Sequence, residues 1–291
     1  MRVALCIASR GNPEPLFETL QNVLRRGALP QTKAVIGLDE DDPTLPDTLA
    51  RIEALKNKRI VVSVAPRGDT IGSVYNRCAA AIDADVYVNG ADDFRIATEG
   101  WDAVLADAAK IFPDGIGVIG FGDMPVPSGL PACEAATRGL IEKMGYFVQD
   151  YTPYWWMDSW LFEIATMIGR FYSVPIEVRF VGPMRTRGMR DLLFWAQFYD
   201  AMRVHRRAVA KAIVASANFL DSPERKRELI EDLDRLCAEL EGHNAVLRDP
   251  DYAKRIEASG FDAPASDRYL RAKERAQTAL QALDTSRMHV A

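Results

Sequence analysis

Val3-Ala-Leu-Cys-Ile-Ala-Ser-Arg-Gly-Asn12, running on into Pro13-Glu-Pro-Leu16, is the stretch that decides the fold. Residues 2–9 form a near-continuous apolar run, as a strand covered on both faces of a parallel sheet requires. A helix is predicted directly after it. Asn12 can cap that helix, Pro13 and Pro15 fall in a first turn that needs no N–H from them, Leu16, Phe17, Leu20, Val23 and Leu24 share one face, and Gly27 is the stop. A strand feeding a helix in this way opens a βαβ unit.

Working outward, the same rhythm repeats. Strands are predicted over 34–38 and 60–64, a helix from the spacing of Ile71, Val74, Tyr75, Cys78, Ala79 and Ile82, and a short buried strand over 86–88. Thr98 is expected to cap a helix with Trp101, Val104, Leu105, Ala108 and Ile111 inward, before a strand over 116–121. The pattern then changes to a Pro/Gly loop at 123–131, a helix at 135–144, an aromatic segment at 145–162 and a half-exposed strand at 176–180. Beyond about residue 190 the chain reads as helical and charged. Ser222 and Pro223 open a helix with an apolar stripe of Leu229, Leu233, Leu236, Cys237 and Leu240, and a weaker helical pattern covers 267–283. The expectation is an α/β domain over 1–190 and a helical C-terminal extension over 191–291, able to pack back on the domain or to pair two copies as a homo-oligomer.

Composition narrows the classes. The 291 residues carry 36 Lys+Arg against 41 Asp+Glu, a formal charge of −5, and are 48% hydrophobic and 26% charged, so a substantial core can be buried. A mildly acidic chain argues against general nucleic-acid binding, which relies on excess positive charge. No apolar stretch approaches the roughly 20 residues of a membrane helix, and the run at 3–8 is too short for a signal peptide, so no transmembrane segment and a cytoplasmic location are expected. Cys6, Cys78, Cys133 and Cys237 show no metal or disulfide spacing and read as reduced core residues.

Open α/β sheets bind ligands outside the carboxyl ends of their strands, and the acidic clusters fall there. Asp92 and Asp93 follow the strand at 86–88. Adjacent carboxylates repel, so the pair reads either as a solvated turn or as a site for a hard divalent cation, Mn²⁺ or Mg²⁺, completed by water and phosphate oxygens. Asp39, Glu40, Asp41 and Asp42 follow the second strand, as an ordinary acidic turn or with a carboxylate that accepts N–H groups of a nucleotide base. Asp158 sits among Trp155, Trp156 and Trp160 at the start of a helical pattern, either as an N-cap or as a desolvated, more basic carboxylate suited to general-base work.

The order and spacing of these elements resemble family 2 glycosyltransferases of the GT-A fold, a Rossmann-like, mostly parallel sheet flanked by helices. The resemblance covers about residues 3–181. It rests on the opening strand and loop 3–12, Asp39, the helix around Tyr75-Asn-Arg77, Ala91-Asp-Asp93 as the Asp-x-Asp-type element, and Glu142-Lys-Met-Gly-Tyr-Phe147 followed by Met157-Asp158. It implies an enzyme that moves a sugar from a nucleotide-sugar donor, a UDP-sugar being expected, to an acceptor hydroxyl of unspecified kind, with inversion. Asp93 would hold the Mn²⁺ or Mg²⁺, Asp92 would contact the ribose or the ion, Asp39 would read the base, Ala8 would line the nucleotide and Asp158 would be the catalytic base. The chain departs from the pattern at Gly90, Ala91 and Met157, and it lacks a His after the strand at 176–180. Arg185, Arg187 and Arg190 in the following loop can instead clamp the diphosphate or simply be solvated, and Arg10 is a similar candidate. The aromatic set Tyr146, Phe147, Tyr151, Tyr154, Trp155, Trp156 and Trp160 can stack on acceptor rings or be packed. Two rival readings are a nucleotidyltransferase of related fold and a non-catalytic glycan-binding or assembly relative.

Overall fold

A computed structural model describes residues 1–123, 131–181, 190–216, 223–239, 249–252, 254 and 265–288. The chain divides into two compact units. The first comprises Met1–Gly68, Ser73–Val148 and Arg170–Gly182, and the second Asp69–Gly72, Gln149–Gly169 and Pro183–Ala291.

The first unit is built on a seven-stranded sheet of β1 (Val3–Ala8), β2 (Lys33–Asp39), β3 (Ile60–Ala65), β4 (Val86–Ala91), β6 (Val118–Asp123), β7 (Pro131–Thr137) and β8 (Phe171–Val174), in the order β3-β2-β1-β4-β7-β6-β8. β7 alone runs antiparallel to its neighbours. The short β5 (Phe94–Ile96) and β9 (Val178–Phe180) form a separate antiparallel pair. Helices α1 (Pro13–Arg26), α2 (Leu45–Ala54), α3 (Ile71–Ala80), α4 (Trp101–Ala109) and α5 (Arg138–Met144) connect the strands. Val3 through Ile7 are at most 1% exposed, so β1 is covered on both faces as its apolar run requires. Leu16, Leu20, Val23 and Leu24 of α1 and Trp101 and Leu105 of α4 complete one core with β1, β2 and β4. Cys6, Cys78 and Cys133 are buried and form no disulfide, and Cys237 lies outside the described side chains.

Four local expectations are corrected. Residues 135–137 belong to β7 rather than to a helix, because α5 starts only at Arg138. Thr98 does not cap α4. Gly100 holds the N-cap position with φ +67°, and the Thr98 hydroxyl accepts the Glu177 N–H at 2.9 Å. Ile111 lies past the end of α4 and is exposed. Asn12 occupies the N-cap of α1 without a side-chain capping bond. A cap accepts from the second or third helical N–H, and the third here belongs to Pro15, which has none.

The second unit is helical: α6 (Met157–Met167), α7 (Leu192–Ala201), α8 (Arg203–Ser216), α9 (Pro223–Glu239) and α10 (Asp267–Met288). α6 packs on α8 and α9, and α10 on α7, where the Trp195 indole N–H donates to the Tyr269 hydroxyl at 2.9 Å. Leu233 of the expected α9 stripe is buried, whereas the side chains of Leu236, Cys237 and Leu240 lie outside those described. Among the described residues no helix is long and apolar enough to cross a membrane.

A buried carboxylate joins α1 to α4. Asp102 is fully buried and accepts from the Ala28 N–H (2.7 Å), the Leu29 N–H (3.0 Å) and the Thr32 hydroxyl (2.6 Å), so it organises the turn from α1 into β2. Asp102→Ala leaves those buried donors unsatisfied and should lower stability by about 2–4 kcal/mol, read from the urea-unfolding midpoint; a variant within 0.5 kcal/mol of wild type, roughly the scatter of neutral surface changes, would contradict this.

Candidate active site

The strand order reverses at β1, which has β2 on one side and β4 on the other, so the carboxyl ends of β1 and β4 form the switch-point crevice where open α/β sheets place ligands. Register determines what meets there. Ala8, the half-buried last residue of β1, lies opposite Gly37 of β2 and Ala91 of β4. One residue further on, Ser9 and Asp92 therefore emerge side by side, and the Ser9 hydroxyl donates to Asp92 Oδ2 at 2.6 Å. Two residues on, Arg10 comes level with Asp39, and its Nη1 lies 3.4 Å from Asp39 Oδ2.

The ends of β2 and β4 are held by α3. The Arg77 guanidinium donates to the Leu38 carbonyl at 2.9 Å, just before Asp39, and the Tyr75 hydroxyl donates to the Gly90 carbonyl at 2.8 Å. Burial, with the nearby Asp92, pushes the Tyr75 phenol well up, so it remains a donor. Gly90, a departure from the family pattern, has a packing reason: a Cβ there would lie 2.6 Å from Leu5 Cδ1 and 3.1 Å from the Phe94 ring. Just before it, Asn89 leaves the β4–β7 ladder and its side-chain oxygen accepts the Glu134 N–H at 2.9 Å. The backbone of the Asp-Asp pair is tied down as well. The Thr19 hydroxyl donates to the Asp92 carbonyl at 2.7 Å, and the Val181 N–H donates to the Asp93 carbonyl at 2.7 Å.

The carboxylates at these strand ends fall into two kinds. Asp42 is buried and fully used, accepting from the N–H groups of Gly11 (2.8 Å) and Thr44 (2.9 Å) and from the Thr44 hydroxyl (2.9 Å), and so pinning the β1–α1 loop to the β2–α2 loop. Gly11 takes φ +63° there, a left-handed conformation suited to glycine. Asp41 is exposed and pairs with Arg10 at 2.6 Å. Asp39, 6% exposed, has Oδ2 beside Arg10 (3.4 Å) and Arg67 (3.6 Å), while Oδ1 is buried and has no hydrogen-bond partner among the described residues. The Asp93 carboxylate likewise makes no side-chain hydrogen bond or ion pair among the described residues.

Those residues contain no group of three or more His, Cys, Asp or Glu able to hold a metal together. Two adjacent carboxylates form a donor set for Mg²⁺ or Mn²⁺, which keep water and take phosphate oxygens, rather than for zinc, which favours thiolate and imidazole. The residues therefore fit the ion that the sequence suggests.

Asp158 belongs to the second unit. The N-cap of α6 is Trp156, so Asp158 lies inside the first turn, where its Oδ1 accepts the Ser159 N–H at 2.7 Å. Burial raises the carboxyl pKa, and that effect outweighs the lowering by the Ser159 and Asp158 N–H groups and the Ser159 hydroxyl. Trp156 and Trp160 are buried in helix packing rather than displayed. Arg190 is half-buried, while Arg185 and Arg187 lie outside the described residues. Thr19, Arg67, Asn89 and the α3 contacts were not read from the sequence as site-forming. Only their position relative to the strand ends marks them out, and that depends on register.

Solved structures similar to this chain include glycosyltransferases. The chain is similar to the mannosyltransferase PcManGT from Pyrobaculum calidifontis in complex with GDP-Man and Mn²⁺, at TM-score 0.54 and 16% identity over 97% of this chain and 82% of that one. It is similar to S. aureus TarS 1-349 in complex with UDP-GlcNAc, at TM-score 0.55 and 13% identity over 89% and 91%. A third is GalNAc-T7 with UDP, GalNAc and Mn²⁺, at TM-score 0.55 and 14% identity over 86% of this chain and 58% of that one. The chain has the GT-A fold. No family model and no curated protein matches its sequence. The expected mostly parallel sheet with a helical C-terminal region is therefore present.

Asp42 gives this crevice an acid-sensitive support. Burial works to raise its pKa, but donation from Thr44 and Gly11 and the nearby Arg10 outweigh burial and lower it. A lowered folded-state value means that the stabilisation is complete above the unfolded value of about 3.9 and is lost as pH falls through the folded value. Asp42→Asn should cost about 1–2 kcal/mol at pH 7 and make the thermal midpoint less steeply dependent on pH below about 4. Differential scanning fluorimetry across that range checks it, and an unchanged slope would count against the assignment.

Proposed function

We propose that this protein is a glycosyltransferase that moves a sugar from a UDP-sugar to an acceptor hydroxyl, with inversion at the anomeric carbon. The observation that carries the donor reading is the buried Asp39 carboxylate, with one oxygen beside two guanidinium groups and the other without a partner. Most buried polar atoms in native proteins are paired, and a ligand is one source of a missing partner. Uracil presents a single ring N–H between two carbonyl oxygens, which matches one open acceptor flanked by Arg10 and Arg67 as donors. Guanine presents two adjacent N–H donors and calls for both carboxylate oxygens. Of the neighbours' complexes, those of TarS and GalNAc-T7 hold UDP-GlcNAc and UDP, and that of PcManGT holds GDP-Man.

Asp93, with Asp92, would hold Mn²⁺ or Mg²⁺, which as a Lewis acid offsets charge on the departing nucleoside diphosphate. Ser9 keeps Asp92 oriented by its 2.6 Å hydrogen bond. Ala8 offers only a methyl group at the end of β1, so the backbone there can lie close to the nucleotide. Arg187 is assigned to the diphosphate as a bidentate donor. Asp158 takes the proton of the acceptor hydroxyl as that oxygen bonds to the anomeric carbon and the bond from that carbon to the diphosphate oxygen breaks. Its raised pKa makes it a stronger base than an ordinary aspartate. Attack from the face opposite the leaving group produces inversion. A cytoplasmic location is part of the same proposal.

Two experiments test this reading. Calorimetric titration with UDP and GDP, each with and without Mn²⁺, should give metal-dependent binding that favours UDP by roughly tenfold or more, about 1.4 kcal/mol or above. Asp39→Asn should remove that preference and Asp93→Asn the metal dependence; absence of nucleotide binding would refute the donor assignment. Hydrolysis of UDP-sugars should fall as the pH drops through the Asp158 pKa, at a midpoint above the ordinary carboxylate value of about 3.9, because only the deprotonated group accepts a proton. Asp158→Asn should cut turnover by about 10²- to 10⁴-fold with donor binding kept. Unchanged turnover in that variant would exclude Asp158 as the base.

A further inference from the structure

The α6 start has an unusual backbone. Trp156, a bulky residue, takes φ +66° at the N-cap, a conformation that L side chains rarely adopt and that persists only where the surroundings enforce it. Asp158 follows two residues later, so whatever holds Trp156 also directs the Asp158 side chain. The preceding loop holds it from one side. Gln149 and Thr152 are both buried; Gln149 Oε1 accepts the N–H groups of Tyr151 (2.7 Å) and Thr152 (3.1 Å), and the Thr152 hydroxyl donates to the Trp155 carbonyl at 2.5 Å.

The helices after residue 190 hold it from the other side. Tyr199 of α7 stacks on Trp156, with ring centroids 5.7 Å apart and planes at 21°. Tyr199 is in turn covered by Arg206 of α8, whose guanidinium lies 4.0 Å from its ring centroid and 4.7 Å from that of Trp160. The Arg206 side chain is wholly buried. It donates to Glu163 Oε2 of α6 at 2.5 Å and to the Tyr199 carbonyl at 2.8 Å. A buried ion pair is poor value for stability, since well-packed apolar residues of like volume often do as well, but its directional bonds fix the position of the groups around it. Here those groups are α6, which bears Asp158, and Tyr199, which stacks on the residue before that helix.

We propose that Arg206 is a positioning residue: through Glu163 and the Tyr199–Trp156 stack it sets the turn that presents Asp158, which makes α7 and α8 part of the catalytic apparatus rather than an appendage. This rests on the reading of Asp158 as the general base.

The test uses the full-length protein with Mn²⁺ and whichever of UDP-Glc, UDP-Gal, UDP-GlcNAc and UDP-GlcA the wild type hydrolyses fastest. A Glu163→Gln/Arg206→Met double variant removes both charges together, so neither is left buried alone. It should stay folded and keep the donor KM, while kcat falls roughly 10- to 100-fold, the scale of a misplaced catalytic group. Tyr199→Leu, which breaks the stack but leaves the ion pair, should show the same split, with a changed near-ultraviolet circular dichroism signal from the tryptophans. Wild-type kcat in either folded variant overturns the proposal, as does a loss confined to KM. Asp158→Asn, run alongside, separates the two ideas. If it is inactive while the folded double variant is fully active, only the positioning role fails; if it is fully active, the base assignment fails and this proposal with it.

Discussion

The crevice at the carboxyl ends of the strands depends on the parallel register of β1 with its two neighbours. Ala8 stands opposite both Gly37 and Ala91, so three strand ends release Ser9, Arg10, Asp39 and Asp92 into one crevice. A slip of one residue would turn each side chain to the other face of the sheet and part Ser9 from Asp92. Small residues secure that register from beneath. A Cβ on Gly37 would lie 2.3 Å from Val74 Cγ1 of α3, so glycine at that point lets the helix approach closely enough for Arg77 to reach the Leu38 carbonyl. The same helix carries Tyr75 to the Gly90 carbonyl. Secondary structure, packing and site geometry are thus one arrangement on this side of the fold.

Much of that side was legible because its signals are local. Unbroken apolar runs mark strands covered on both faces, helical spacing marks α1 and α3, and acidic residues just past a strand mark the ligand edge. β7 was not legible. Pro131-Ala-Cys-Glu-Ala-Ala-Thr137 has alanine-rich character and weak intrinsic strand preference, yet it is buried between β4 and β6, and tertiary pairing decides its state. Thr98 was misread for a related reason. A threonine near a helix start is a good local cap, but the hydroxyl is used by Glu177, 79 residues away. The Glu163–Arg206 pair, 43 residues apart on different helices, left no sequence trace either.

The identity of a carboxylate says little about its task, and its count of partners says much. Asp102 and Asp42 are buried and saturated with donors, and each joins two loops or helices. Asp39 is almost as buried but retains an oxygen without a donor among the described residues. The run at 39–42 therefore mixes a structural acid, an exposed partner for Arg10 and an acid with spare capacity, which no pattern of residue types could separate.

That spare capacity has an energetic consequence for ligand binding. A buried acceptor that forgoes its hydrogen bond costs the native state on the order of 1–3 kcal/mol, and a ligand that supplies the missing N–H recovers it. The cost is borne before binding, by a scaffold whose strand ends are already held by Arg77, Tyr75, Thr19 and Ser9. Little further ordering of these groups is needed for a ligand that donates there, so more of the new hydrogen bond would appear as affinity. In the helical unit Trp156, in a disfavoured backbone conformation, stacks on Tyr199, whose ring is covered by the buried Arg206 guanidinium. In each unit directional bonds from neighbouring elements fix the backbone beside the candidate carboxylate: those of Arg77, Tyr75 and Thr19 at the strand ends, and those of Gln149 and Thr152 before α6.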